Sequence, residues 1–201
     1  HTGRFIPYWM KNQRGQVYLQ ALIDYEDENT GKFYRLPKQS LKEAVIGPYL
    51  YPVCNNKEMI VSLVAPIKYE NNFYGVAGVN LRIDWLQQMA DSITLYNGES
   101  NMQISSNNGT IVAATGSDTI VGTHISLLPD IDSDQLLTNL SLGSQTIDFS
   151  EKQLMVNVPV VVGETETPWM VRISVPASII YAEANAKLFL IIFSGIIVTI
   201  I

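Results

Sequence analysis

Alternation of apolar and polar positions, broken by Gly, Asn and Pro, runs through most of the chain and predicts a protein dominated by short strands. "GRFIPYWM" and "QVYLQALIDYED" are aromatic and β-branched runs with the pattern of strands. "NTGKFYRLPKQS" is expected to be a turn, a short strand and a Pro stop, and "SLKEAVIGPYLYPV" to hold one helical turn before Pro48 ends it. "EMIVSLVAPIKY" and "FYGVAGVNLRI", joined by "ENN", predict a hairpin. The two glycines of "GVAGVN" fall inside its second strand, where they permit close backbone approach or a bulge. In "DWLQQMADSI" the apolar residues Leu86, Met89 and Ile93 recur at helical spacing, so a helix capped by Asp84 should follow.

A second half begins near Leu95. "NMQISS" and "TIVAAT" flank Asn108-Gly109, a strong turn dipeptide, and predict another hairpin. "DSDQLLTNLSLG" reads as helix or loop. "SQTIDFS", "KQLMVNVPVVV" and "PWMVRISV" form three strands of an antiparallel meander, with "GETET" as one connection, and "ASIIYAEANAK" continues as a helix. The segments around Pro66 and Pro159 are alike: strand, Pro among aliphatics, polar turn, second strand. Two readings stay open, a chance likeness of hairpins or two copies of one α+β module in tandem.

The final residues, "LFLIIFSGIIVTII", carry no charge. As a helix they reach ~21 Å, short of the ~30 Å hydrocarbon core. A core helix would show a polar stripe or a cap, and this run shows neither, so it is expected to be a transmembrane helix cut short. The opening His1-Thr2-Gly3 is neither an initiator Met nor a signal peptide, and the chain is expected to be a fragment cut at both ends.

Composition narrows the function. Thirteen basic against nineteen acidic residues, a net charge of -6, argue against a nucleic-acid partner. The single Cys54 excludes an intrachain disulfide and reads as a turn residue beside Asn55 and Asn56. His124, alone in "VGTHIS", reads as structural, and Asp24, Asp27 and Glu28 as a solvated face. No metalloprotease, redox, nucleophile-elbow or phosphate-loop motif occurs, so no catalytic residue, metal ligand or cofactor is assigned and no enzyme is expected. Aromatics are the informative class. Phe5, Tyr8, Trp9, Tyr25, Phe33, Tyr34, Tyr49 and Tyr51 all precede Cys54, interleaved with Arg4, Asp24, Lys38 and Glu43, a set that suits a small-molecule pocket.

"GRFIPYW", "DYED", "FYRLPK", "KEAVIGPYLYPV", "VSLVAPIKYENNFYGVAGVNL" and "LQQM", followed by "ISSNNGTIVAATGSDTIVGTHI", resemble the double Cache sensor domain. That family forms the extracytoplasmic part of bacterial methyl-accepting chemotaxis receptors and many sensor histidine kinases. The resemblance implies an α+β fold of two tandem PAS-like (Cache) modules with antiparallel sheets. It places a membrane-distal module at 1–90, lacking its long N-terminal helix and first strand, and a membrane-proximal module at 91–176. Residues 177–201 would be a helix running into the membrane. It also implies a small-molecule ligand in the distal module, no cofactor, a homodimer, and a sensor part on the periplasmic side of the inner or plasma membrane.

Residue by residue, the resemblance gives Trp9, Phe33, Tyr34, Lys38, Tyr49 and Asn80 as ligand-binding positions. Phe33 and Tyr34 match the Trp-Tyr pair of amino-acid-binding members, and Tyr49 lies in the "PY" element beside the pocket. Two positions depart from that pattern: Gly31 stands where such members carry a carboxylate-binding Arg, and Asn80 where they carry an ammonium-binding Asp. Arg35 or Lys38 would then supply any anion contact, and organic acids or polyhydroxylated solutes become the expected ligands in preference to amino acids. A chemoreceptor is the leading expectation. The sensor of a histidine kinase or diguanylate cyclase is the alternative, followed by a membrane-anchored enzyme or adhesion fragment.

Overall fold

The structure, a computed structural model, describes residues 3–188 apart from 13, 55, 130, 183, 184 and 186. It is an α+β chain built on antiparallel sheets, and contacts divide it into two compact units. The first unit takes residues 1–86 with 161–168, and the second takes 87–160 with 169–201. The uncharged tail from residue 189 lies outside the described residues. Among those described, no helix is long and apolar enough to cross a membrane.

In the first unit, β1 (Pro7–Lys11) and β2 (Val17–Ala21) form a two-stranded hairpin, and β3 (Ala44–Val53), β4 (Asn56–Tyr69) and β5 (Asn72–Arg82) form a sheet in that order. α1 (Lys32–Ser40) lies against all three strands of that sheet. Phe33, Ile46, Tyr51, Ile60 and Val64 make the core, with Tyr8, Tyr25, Tyr34 and Tyr49 packed against it.

Two elements differ from expectation. "KFYRLPKQS" is a helix containing Pro37, where a strand and a Pro stop are expected. The proline gives up one backbone hydrogen bond, but Phe33 and Pro37, four residues apart on one face, are both buried, and that burial offsets the loss. The helix then closes on a left-handed Leu41, whose N–H reaches the Pro37 carbonyl. Conversely, "AVIGPYLYPV" is one strand, with no helical turn ahead of Pro48. The pairing with β4 slips between Ile46 and Tyr49, so Gly47 and Pro48 sit in a bulge where the missing N–H costs no ladder bond.

The β4–β5 hairpin forms as expected. Its second strand has no further partner strand among the described residues, which is why Tyr74 and Val79 lie exposed. Of its glycines, Gly78 is the one under pressure: a Cβ there would come 2.7 Å from Val64 Cγ1, whereas Gly75 faces open space. α2 (Ile83–Ser92) follows, with Asp84 inside its first turn, not at its cap.

The second unit is a five-stranded sheet in the order β7-β6-β10-β9-β8. Its strands are β6 (Asn101–Ser105), β7 (Ile111–Ala114), β8 (Thr146–Phe149), β9 (Gln153–Val160) and β10 (Trp169–Pro176). The expected hairpin and three-stranded meander are both present. α3 (Ser133–Ser141) settles the helix-or-loop alternative, and Asp132 caps it by accepting the Gln135 N–H at 3.0 Å. Its Leu136 and Leu140 pack on Met170, Ile111 and Ile125. Gln87 of α2 trades two hydrogen bonds with the backbone of Ala114, completing the edge of β7 as another strand would. Residues 177–182 are helical directly after β10.

Candidate functional site

Ser62, in the middle of β4, is 1% exposed and must satisfy its hydroxyl internally. It pairs in register with Asn80 on β5, and its Oγ donates to Asn80 Oδ1 at 2.6 Å. Tyr49 Oη, 2.5 Å from the same Oγ, is then the donor to it. Asn80 Nδ2 donates in turn to Tyr8 Oη at 2.9 Å. Four side chains from β1, β3, β4 and β5 thus form one uncharged chain of hydrogen bonds, Tyr49–Ser62–Asn80–Tyr8. Among the described residues, two donors at its far end have no acceptor, the Tyr8 O–H and the second amide hydrogen of Asn80.

Aromatic rings wall this chain. Tyr51 stands edge-on to Tyr8, Phe33 and Tyr49 at centroid separations of 5.6, 6.2 and 6.1 Å. Burial pushes the Tyr51 hydroxyl up to about 12, with the neighbouring Tyr8 adding to the effect. That hydroxyl lies near the Ile23 backbone without a hydrogen bond of good geometry. Tyr8 and Tyr49 are also raised, burial being the largest cause for each, with the hydrogen bonds to Asn80 and Ser62 respectively a smaller opposing influence.

A second group gathers at α1. Tyr34 packs edge-on against Tyr25 and Phe73, both at 5.5 Å, and Lys38 Nζ stands 5.6 Å from the Tyr34 ring centroid. The expected ligand-binding residues therefore fall into distinct places. Tyr49 and Asn80 share the hydrogen-bonded chain, while Tyr34 and Lys38 share the α1 group. Phe33, 6% exposed, backs the core. Trp9 does not join them: it follows Tyr8 on a strand, so it points to the opposite face, and its side chain is 65% exposed.

Ser62 is the member that sequence reading leaves out, while Tyr8 enters there only as one of the aromatic set and not as a ligand-binding position. Tyr8 is signalled by strand alternation with the buried Met10, and Ser62 by being a lone polar residue in the apolar run "IVSLV".

Gly31 shows why an arginine is absent two residues before Phe33. It is buried where the chain enters α1, and a Cβ on it would sit 2.6 to 2.7 Å from the carbonyl oxygens of Asp24, Tyr25 and Asp27. Asp27 holds that turn, its Oδ1 accepting from the N–H groups of Asn29 and Thr30 and from the Thr30 hydroxyl. These bonds, the backbone one from Thr30 foremost, keep its carboxyl below the usual range. His124 has a structural part in the second unit, where its Nδ1 accepts the Ser126 N–H and its Nε2 meets the Asn108 carbonyl oxygen.

No protein-family model matches the chain. In sequence it is similar to the methyl-accepting chemotaxis protein TlpQ of Pseudomonas aeruginosa, 25% identical over 195 residues, covering 92% of this chain and 27% of that protein. The chain therefore spans about a quarter of that relative's length. In structure it is similar to the extracellular domain of mmHK1S-Z3, assigned as a histidine kinase, with a TM-score of 0.74 and 21% identity over 92% of this chain and 66% of that one. It is also similar to the ligand-binding domain of the Pseudomonas aeruginosa amino-acid chemoreceptor PctB in complex with L-Gln. There the TM-score is 0.57 and the identity 17%, over 90% of this chain and 73% of that one. The fold is the Cache-type sensor fold that the sequence resemblance implies.

Proposed function

We propose that the chain is the extracytoplasmic ligand-sensing part of a transmembrane chemoreceptor. In this reading its first unit binds a small solute at the Tyr8–Asn80–Ser62–Tyr49 chain, with Tyr34 and Lys38 contributing from α1. The observation that carries the reading is that chain itself: half-buried, uncharged, anchored on four strands and ending in two free donors. Donors without a neighbouring carboxylate suit a ligand that brings acceptors, such as an organic acid or a polyhydroxylated solute. An ammonium group would be desolvated here without a counter-charge.

Solved relatives of the same fold carry amino acids: L-Gln and L-Arg in PctB, asparagine in Mlp24 and L-leucine in CtaA. This chain departs from an amino-acid site at the two positions that would grip the charges, Gly31 and Asn80. Ligand binding would be relayed from β10 into the helical residues that follow it, toward the membrane and the paired chain of a homodimer. A histidine-kinase sensor is the second reading, favoured by TM-scores of 0.70 and 0.74 to extracellular domains so assigned.

The test is a hybrid receptor in which this chain replaces the sensor of a chemoreceptor whose output is measurable. A solute response lost on Asn80→Leu, and lost again when two glycines are inserted after Ala182, is the expected result. A response that survives both Asn80→Leu and Tyr8→Phe places the site elsewhere.

A further inference from the structure

The β1–β2 hairpin leaves one strand edge open. Two backbone bonds just beyond its strands, Leu22 N–H to Ile6 O at 2.8 Å and Asn12 N–H to Gln16 O at 3.0 Å, continue the register of the hairpin at either end. Antiparallel pairs alternate between bonded and non-bonded positions, so Tyr8–Gln20 and Met10–Tyr18 are the bonded pairs between them. Val17, Leu19 and Ala21 therefore turn their N–H and C=O groups away from β1, and among the described residues no other strand pairs with them. The two outer edges are unlike. On β1 the outward positions are Pro7, Trp9 and Lys11, and a proline and a lysine are what natural sheets use to blunt an edge. β2 has neither: "VYLQA" carries no charge, no proline and no bulge, and all five residues are exposed. Val17 is 62% exposed and Leu19 56%, and Trp9, directly across from Leu19 on the same face, is 65% exposed. An uncharged, unblunted edge beside an apolar face is a template for another strand.

Charge and register say which strand fits. No Asp or Glu occurs before Asp24, whereas Asp24, Glu26, Asp27 and Glu28 follow β2 closely and Arg14 lies in the turn ahead of it. Laid antiparallel against a partner copy and centred on Leu19, β2 sets Leu19 opposite the partner's Leu19 and Val17 opposite the partner's Ala21. Every outward N–H and C=O of β2 then has a bonding partner, two bonds for each facing pair. A shift of one pair in either direction leaves the outward groups of Val17 or Ala21 with no strand opposite. The same centring brings Arg14, five residues before Leu19, to the partner's Asp24, five residues after it. Both side chains are exposed, and among the described residues neither takes part in an ion pair.

We propose that β2 is a homodimer contact, where a second copy of this chain adds its own β2 edge to edge and makes a four-stranded sheet, β1-β2-β2-β1, about a twofold axis. Directly opposite residues of an antiparallel pair share a face, so the Trp9–Leu19 row runs on into the same row of the partner, and the two leucines cover one another at the axis. Arg14 meets the partner's Asp24 at both ends of the contact. This pairing rests on the homodimer of the proposed function and gives it a place. β2 adds no residue to the Tyr8–Asn80 chain, so pairing and ligand binding can fail separately.

The experiment is disulfide trapping in the full chain on a Cys54→Ser background. In this register Tyr18 faces the partner's Gln20 at a non-bonded position, where Cα atoms stand about 4.5 Å apart and within disulfide reach. Two Tyr18 positions, or two Gln20 positions, are offset along the strands and lie out of reach. Chains carrying Tyr18→Cys and Gln20→Cys, given different mass tags and mixed, are expected to form mixed dimers at least about tenfold faster than either dimerises alone. Leu19→Pro spares the β1–β2 ladder, because the Leu19 N–H points outward, and should abolish the mixed product. Arg14→Glu, which sets like charges face to face, should slow it. Equal rates for mixed and single populations, or a mixed product indifferent to Leu19→Pro, overturns the proposal. Sedimentation of the unaltered and Leu19→Pro chains separates this contact from the homodimer itself. A dimer that survives Leu19→Pro keeps the homodimer and removes β2 from it, while a monomer at every concentration up to about 1 mM removes both.

Discussion

Ser62 and Asn80 face one another in register across β4 and β5, joined at 2.6 Å, and each holds a tyrosine on its other side. Neither can be removed without leaving two partners short. Ser62→Ala strands the Asn80 carbonyl oxygen and the Tyr49 hydroxyl in a half-buried setting, at a cost of about 1–3 kcal/mol. Urea unfolding should show this as a lower midpoint with unchanged slope. Equal midpoints for Ser62→Ala and the unaltered chain would mean that the hydrogen-bonded chain adds nothing to stability.

Tyr51 makes the first unit sensitive to alkali. Its hydroxyl titrates near 10.0 in an unfolded chain and near about 12 when folded. Between those values the unfolded chain binds fewer protons, so stability is full below pH 10 and falls as pH rises toward 12. Tyr8 and Tyr49, also raised, add in the same direction. Tyr51→Phe should be near neutral at ordinary pH, since the hydroxyl lacks a well-formed hydrogen bond, and should flatten part of the alkaline loss. A stability that rises through this range would contradict the burial of these three rings.

Gly31 and Gly75 make a matched pair for backbone space. Gly31→Ala forces a methyl group against three carbonyl oxygens and should destabilise by about 1–3 kcal/mol, while Gly75→Ala meets nothing. Thermal melts of the two variants decide it. A Gly31→Ala chain as stable as Gly75→Ala would show that the turn into α1 can yield.

Much of the architecture was legible because period-2 alternation and turn dipeptides are local signals. The β4–β5 hairpin, the β6–β7 hairpin at Asn108-Gly109 and the β8–β9–β10 meander follow from them. Prolines were the obstacle. Pro37 and Pro48 read as stops, yet one is buried within a helix and the other sits in a bulge. Both outcomes depend on tertiary packing that no local window contains. Of the candidate site, Asn80, Tyr49, Tyr34 and Lys38 were legible from family resemblance. Tyr8 was legible only as one of many aromatics, because β1 belongs to a separate hairpin and its approach to Asn80 is tertiary, and Ser62 was not legible, because its importance lies in its register with Asn80 across β4 and β5.

Asp132 caps α3, the helix that covers the second sheet, through a bond to the Gln135 N–H. Asp132→Ala should cost about 0.5–2 kcal/mol, and Asp132→Asn, which keeps the acceptor, much less. Equal melting temperatures for the two variants would show that the cap adds nothing.

The central claim is that the first unit binds an acceptor-rich, non-ammonium solute at the Tyr8–Asn80 end of the chain. It is tested most directly by titration calorimetry of the whole chain with a panel of amino acids, amines, organic acids and sugars. The unaltered protein is run beside Asn80→Leu, Tyr8→Phe and Trp9→Ala. The account predicts that an organic acid or a polyhydroxylated solute binds, that Asn80→Leu abolishes the heat, and that Tyr8→Phe weakens binding about tenfold. Trp9→Ala should leave affinity unchanged. Tight binding of an α-amino acid, lost in Asn80→Leu, would contradict it.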